Sequence, residues 1–174
     1  MDRRVKKSRQ AIKVAFLEML LTSGFESITI KELTEKADIS RKTFYLHFAD
    51  KYQLLDALVT EHIEQLTDTC RAYPENNLIE SSIIWFQYFE QNKPFFAALF
   101  KNESTVSFRK ALLNYLMTEI GGEIKTDNRE ITVRFLSNAV IGIVESFISD
   151  ELSSNCEFIA KQVGILLERN LYLE

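Results

Sequence analysis

Cysteine, proline and glycine are all scarce in this chain, with two, two and five residues among 174. The two thiols, Cys70 and Cys156, lie far apart with no C-x-x-C spacing, which excludes a disulfide framework and a cysteine-rich metal site. So little proline and glycine, beside 46% hydrophobic and 26% charged residues, excludes a disordered or turn-rich β chain and predicts an all-α globular protein. No internal repeat or low-complexity tract is present. Long hydrophobic runs are missing too: stretches such as Phe95 to Phe100 fall far short of a membrane span, and Glu18 interrupts the apolar stretch that could mimic a signal peptide. The expected location is the cytoplasm, with no membrane partner. Also absent are a P-loop, G-x-S-x-G, H-E-x-x-H and a dinucleotide glycine fingerprint, and the two histidines are not spaced as ligands. No catalytic residue, metal or cofactor is expected.

What is present is a charge asymmetry. The net charge is −4, yet residues 1–51 hold 11 Lys/Arg against 7 Asp/Glu, leaving 10 against 18 for the remainder. A basic head on an acidic body orients a molecule on a polyanion.

The most informative stretch runs from Thr29 to Lys51, TIKELTEKADISRKTFYLHFADK. Thr29 with Glu32 is a capping box, and Ile28 and Leu33 staple the same end, so a helix is expected over Ile30 to Ala37. Ser40 repeats the N-cap, with Ile39 and Phe44 placed to staple, and Asp50 with Gln53 opens a third helix. Only Asp38, Ile39 and Ser40 separate the first two helices, and Asp tolerates a left-handed backbone. Along the second helix Phe44 and Phe48 share an inner face, while Arg41, Lys42 and Tyr45 share the outer one, with donors for guanine edges and phosphates. The bland alternative is a solvated surface over a core of rings.

From Phe25 to Leu55 the sequence resembles the DNA-binding domain of the TetR family of bacterial transcriptional regulators. The family run of a Thr-hydrophobic-basic-acidic opening, A-G-V-S, T-L-Y and Y-F-x-x-K stands here as Thr29-Ile30-Lys31-Glu32, Ala37-Asp38-Ile39-Ser40, Thr43-Phe44-Tyr45 and His47-Phe48-Ala49-Asp50-Lys51. The resemblance implies phosphate contacts from Thr29, Thr43, His47 and Lys51, groove reading by Arg41, Lys42 and Tyr45, and a place for Ser40 at the DNA-facing cap. Three positions depart from the family pattern: Asp38 and Lys42 replace Gly, and His47 replaces Tyr.

Before this motif, the basic arm Met1 to Lys7 leads into a helix whose Ile12, Phe16, Met19 and Leu20 recur at helical spacing, and Gly24 supplies its left-handed stop. Arg3, Arg4 and Lys6 either touch the DNA backbone or form a merely attractive tail. After it, Leu54, Leu55, Leu58, His62 and Leu66 describe a long helix ending near Ala72. His62 reads first as a satisfied core histidine and second as a ligand contact.

Asn77 with Glu80, Pro94, and Ser104 or Thr105 open three further helices, the last running to a turn at Gly121-Gly122. This middle is crowded with rings. Packing is their default; the alternative is a pocket bounded by Trp85, Phe89, Phe96 and Phe100, with His62 nearby, for a small and largely apolar effector. Asp127 with Glu130 and Ser154 with Glu157 begin two final helices, about 128–149 and 155–172. Their apolar positions Phe135, Ala139, Gly142 and Ile143, and Ile159, Val163 and Leu166, form stripes read as a dimer interface, with Gly164 allowing close approach.

The expected architecture is therefore an N-terminal three-helix DNA-binding domain with a helix-turn-helix over residues 1–51, followed by a helical effector and dimerisation domain over 52–174. The expected function is a homodimeric regulator on a palindromic double-stranded operator, a repressor released by a small molecule. The alternatives are an activator of the same fold and a helical adaptor that binds protein through its aromatic middle.

Overall fold

The computed structural model describes residues 3–72, 77–101, 106–123 and 129–171. Among them lie nine helices and no strand: α1 (Arg3–Ser23), α2 (Ile30–Lys36), α3 (Arg41–Tyr45), α4 (Lys51–Arg71), α5 (Leu78–Gln91), α6 (Lys93–Phe100), α7 (Val106–Glu123), α8 (Arg129–Ile148) and α9 (Cys156–Leu171). The all-α expectation holds.

Side-chain caps fix most starts. Thr29, Ser40 and Asp50 each accept the backbone N–H three residues on, at 3.2, 3.1 and 2.8 Å. Asn77 and Glu80 form the reciprocal capping box. At Thr29 the reciprocal arm differs from expectation, because Glu32 takes up the Thr29 hydroxyl (2.7 Å) rather than its backbone N–H. Each cap is worth about 1 kcal/mol.

Elsewhere the boundaries move. The basic arm is not separate: α1 begins at Arg3, so Arg3, Arg4 and Lys6 ride its first turns, where no Pro or Gly breaks the helix. Asn155 rather than Ser154 caps α9, accepting Phe158 N–H at 2.8 Å. The Gly121-Gly122 pair lies inside the last turn of α7, not in a turn of its own; a helix already held by packing absorbs a glycine at about 1 kcal/mol. The expected starts at Ser104 or Thr105 and at Asp127, and the expected end at Tyr172, lie outside the described residues.

One apolar cluster extends from Ile12 in α1 to Leu171 in α9. α4 joins its two ends. At the N-terminal end of α4, Tyr52 meets Phe25 edge-on at 5.1 Å; in its middle, Glu61 pairs with Lys13 of α1; and near its C-terminal end Cys70 accepts from Tyr115 of α7. α8 between Glu130 and Ile148 has a mean hydropathy of 1.5, enough by length and composition to cross a membrane, but 44% of that stretch is buried within the protein. We read it as a core helix of the bundle.

α9 lies along α5, and the two backbones touch. A Cβ at Gly164 would stand 2.5 Å from Ile79 Cα and 3.1 Å from its N. The close approach expected of Gly164 is therefore made to its own chain. Main chain cannot yield as a side-chain tip does, so Gly164→Ala should cost about 1–3 kcal/mol by overpacking, and lower Tm by roughly 2–4 °C per kcal/mol in a chain of this size. A thermal melt followed by circular dichroism checks this; an unchanged Tm would show that the helices separate freely.

Candidate nucleic-acid interface

The turn between α2 and α3 is built from backbone hydrogen bonds around Asp38. Asp38 stands at φ 52°, Ile39 N–H donates to Thr34 C=O at 3.0 Å, and Asp38 N–H donates to Glu35 C=O at 3.2 Å. This is a Schellman stop with aspartate in the position usually held by glycine. It lets α3 begin with only three residues between it and Ala37.

α3 is anchored from beneath. Phe44 and Phe48 are buried with centroids 5.9 Å apart, and Arg9 of α1 lies over the Phe48 ring at 5.8 Å. Arg41, Lys42 and Tyr45 therefore project outward. All three are exposed, and Arg41 and Lys42 have no hydrogen-bond or ion-pair partner among the described residues. Two unneutralised cations beside a phenol offer donors, charge and a flat face together.

The remaining expected contacts are more constrained. Thr29 and Ser40 spend their hydroxyl oxygens on caps, and Ser40 also meets Thr43 Oγ1 at 2.9 Å. They can meet phosphate only at the exposed edge they share with the helix ends. His47 is half-buried and hydrogen-bonded through Nε2 to Ser8 of α1 at 2.7 Å. That bond pins the ring against the start of α1, and its Nδ1 has no hydrogen-bond partner among the described residues.

Lys51 is corrected. Its ammonium donates to the carbonyls of Phe25, Glu26 and Ile28 at 3.0, 3.0 and 3.1 Å and lies 4.6 Å from the Phe25 ring centroid. An ammonium has three N–H donors, and all three are committed inside the head. A phosphate contact from Lys51 would have to break that set.

Two residues were missed by sequence reasoning. Leu46 is 75% exposed directly after Tyr45, an apolar surface suited to a thymine methyl; an apolar residue outside the buried period of α3 was the available signal. Ser8, which holds His47, gave no signal, because its partner is 39 residues away.

The expected effector residues separate into two groups. His62 Nδ1 meets Tyr88 Oη at 2.6 Å and its ring stacks on Phe95 at 4.2 Å. Burial lowers its pKa, with nearby Glu61 opposing, which is the behaviour of a satisfied interior histidine. Phe89 meets Phe96 at 4.4 Å, Phe96 meets Phe108 at 5.6 Å, and Phe100 meets Phe108 at 5.2 Å. These rings fill the space they were expected to enclose, because consecutive helices α5, α6 and α7 bring them together in a ladder. Trp85 alone of the four lines a cavity, of about 360 Å³, whose wall continues through Cys70 at the end of α4, Tyr115 of α7, Val140 of α8 and Leu167 of α9.

The stripes on α8 and α9 also divide. Phe135 is 68% exposed and Leu166 54% exposed, Ala139 is exposed, and Gly142 and Ile143 are half-buried. Ile159 and Val163 are each 6% exposed, buried within their own chain, and cannot meet a partner. α9 is apolar on two sides, and periodicity does not say which side its own chain covers. The exposed set is completed by Ile131 and Phe158.

Two family models match: "Bacterial regulatory proteins, tetR family" over residues 14–58 and "Transcriptional regulator C-terminal region" over residues 76–169. Tetracycline repressor protein class D of Escherichia coli is 28% identical over 108 residues, 62% of this chain and 41% of that protein. The matches span 18–43% of the length of the curated relatives. Among solved structures, a TetR transcriptional regulator from Streptococcus agalactiae superposes with a TM-score of 0.76 at 24% identity, covering 97% of both chains. NalD of Pseudomonas aeruginosa, the secondary repressor of the MexAB-OprM multidrug efflux pump, superposes at 0.73 with 18% identity over 97% of this chain and 98% of that one.

Lys51→Met should destabilise the fold by about 1.5–3 kcal/mol, the range for hydrogen bonds from a charged group, whereas Arg41→Ala should leave the melt within about 0.5 kcal/mol of the parent. Urea denaturation of the two variants decides between them. A Lys51→Met protein of parental stability but weakened on all DNA would restore the phosphate role.

Proposed function

The chain belongs to the TetR family of bacterial regulatory proteins, and on that premise we propose that this transcriptional regulator is a homodimeric repressor released from a palindromic operator by a small molecule. The observation that carries the DNA-reading part is α3, a short helix locked from below by Phe44 and Phe48 and presenting Tyr45 with the side chains of Arg41 and Lys42, which have no ion-pair or hydrogen-bond partner among the described residues. In this reading Arg41, Lys42 and Tyr45 meet base edges in the major groove, and Leu46 adds an apolar contact. Thr29, Ser40, Thr43 and His47 flank them toward the phosphates, which position the head without carrying sequence information.

Two heads read two half-sites only if something fixes their spacing at about one DNA turn, roughly 34–36 Å. The exposed face formed by Ile131, Phe135, Ala139, Phe158 and Leu166 is suited to that task, because an isologous contact buries the same apolar patch twice. Residues 1–51 then serve as the reading head and 52–174 as the body, with α4 carrying displacement of the body into the head. Binding to an operator places the protein in the cytoplasm. Repression follows the family's commoner mode, and the tetracycline repressors and NalD carry that role in their names.

Replacing Arg41 or Lys42 with Ala should cost about 1–3 kcal/mol on a site selected from random duplexes and reduce the preference over random DNA. Equal losses on selected and random sequence for both variants would remove α3 as the reader. Phe135→Asp with Leu166→Asp should give a monomer of parental helicity by sedimentation and circular dichroism, with half-site binding only. A helical dimer would place the interface elsewhere.

A further inference from the structure

Resting on the reading of this chain as an effector-controlled regulator, we propose that the cavity beside Trp85 takes a neutral, predominantly apolar molecule carrying one hydrogen-bond acceptor. Its volume of about 360 Å³ lies at the small end of the range of roughly 300–1,000 Å³ for ligand sites. Leu116, Ile120, Val140, Val163 and Leu167 supply an aliphatic wall from three helices.

The polar groups on that wall stay uncharged. Burial raises the Cys70 thiol, with the Tyr115 hydrogen bond opposing in part, and burial drives the Tyr115 phenol far above its ordinary value. Tyr115 donates to Cys70 Sγ at 3.9 Å, so the two satisfy each other in part and present no ion to a guest. The ionised residues that border the cavity, Arg71 and Glu119, are exposed and opposite in sign. A charged guest would lose hydration on entering and find no buried counterion.

One group behind that wall lacks a partner. Trp85 is 6% exposed, and its indole Nε1–H is buried with no acceptor among the described residues. Indole N–H groups that are buried usually find one. Once the indole turns its edge toward the cavity, a carbonyl or ether oxygen on a guest would supply it, which makes an apolar cavity prefer a particular end of its ligand. Gly164 holds α9 against α5 at backbone contact, so room for a guest comes from the α4, α7 or α8 side of the cavity.

Trp85 is the chain's only tryptophan, so its fluorescence reads occupancy directly. The full chain is titrated with three naphthalene probes: N-phenyl-1-naphthylamine, neutral and without a good acceptor; its anionic sulfonate, 8-anilinonaphthalene-1-sulfonate; and prodan, neutral with a carbonyl. The expected result is saturable quenching of Trp85 by both neutral probes, with the sulfonate at least tenfold weaker. Val140→Phe, which fills the cavity, should weaken the neutral probes at least tenfold while helicity is retained; Ser82→Phe replaces it if that variant unfolds. Trp85→Phe, followed by probe emission, should weaken prodan about threefold or more, the size of one ordinary hydrogen bond, and leave N-phenyl-1-naphthylamine unchanged. Equal or tighter binding of the sulfonate overturns the neutral assignment, and indifference to both filling variants overturns the site. Equal effects of Trp85→Phe on both neutral probes overturn the acceptor. DNA binding is measured on the same samples. A protein that binds selected DNA yet quenches with neither neutral probe overturns this inference alone, whereas cavity-dependent binding that leaves DNA affinity unchanged supports the ligand class and overturns effector release.

Discussion

Everything the head does depends on one ammonium group. Lys51 opens α4 and gathers the carbonyls of Phe25, Glu26 and Ile28, the chain segment that leads into α2. Those carbonyls follow the left-handed stop at Gly24 and have no helix to absorb them. Phe25 C=O also accepts Ile28 N–H at 3.2 Å, whereas the part-buried Ile28 C=O, left unpaired, would cost about 1–3 kcal/mol. Lys51 satisfies all three at once, and so ties the entrance of α2 to the first turn of α4. α2 and α3 hang between those two fixed points, which is why a three-residue turn and a five-residue helix can hold a shape that neither would keep alone.

The body is stiff in one direction and yielding in another. α5 and α9 meet main chain to main chain, while the ring ladder through Phe89, Phe96 and Phe108 ties α5, α6 and α7 with no spare volume. Space remains where α4 ends against α7, between Cys70 and Tyr115. The same helix end therefore borders the cavity, and its other end holds Lys51. Glu61 and His62 lie midway, one paired with Lys13 in α1 and the next stacked on Phe95 in α6, so α4 is gripped from the head and the body at adjacent residues.

The head was legible because its signals are local. Caps at Thr29, Ser40 and Asp50 act over three residues, and the left-handed Asp38 is a property of a single backbone position. The role of Lys51 was not legible, since its partners stand 23 to 26 residues earlier and a basic residue at a helix start reads equally well as a phosphate contact. In the body, periodicity found the apolar faces of α8 and α9 but could not distinguish a face covered by α5 from one left open. Ile159 and Val163 went one way, Phe135 and Leu166 the other. The rings misled for a related reason: Phe89 and Phe96 fill volume and Trp85 borders it, a difference of packing that composition does not contain.

The contact between α5 and α9 imposes an unequal inheritance on its two residues. What crowds position 164 is mainly the main chain of residue 79, its Cα and N, and those atoms are the same whatever side chain residue 79 carries. Every substitution at position 164 that adds a Cβ thus carries a penalty, while position 79 is free to drift among residues that fit. Over evolutionary time the glycine should stand fixed opposite a changing neighbour, and the pair would show no covariation although its two backbones touch.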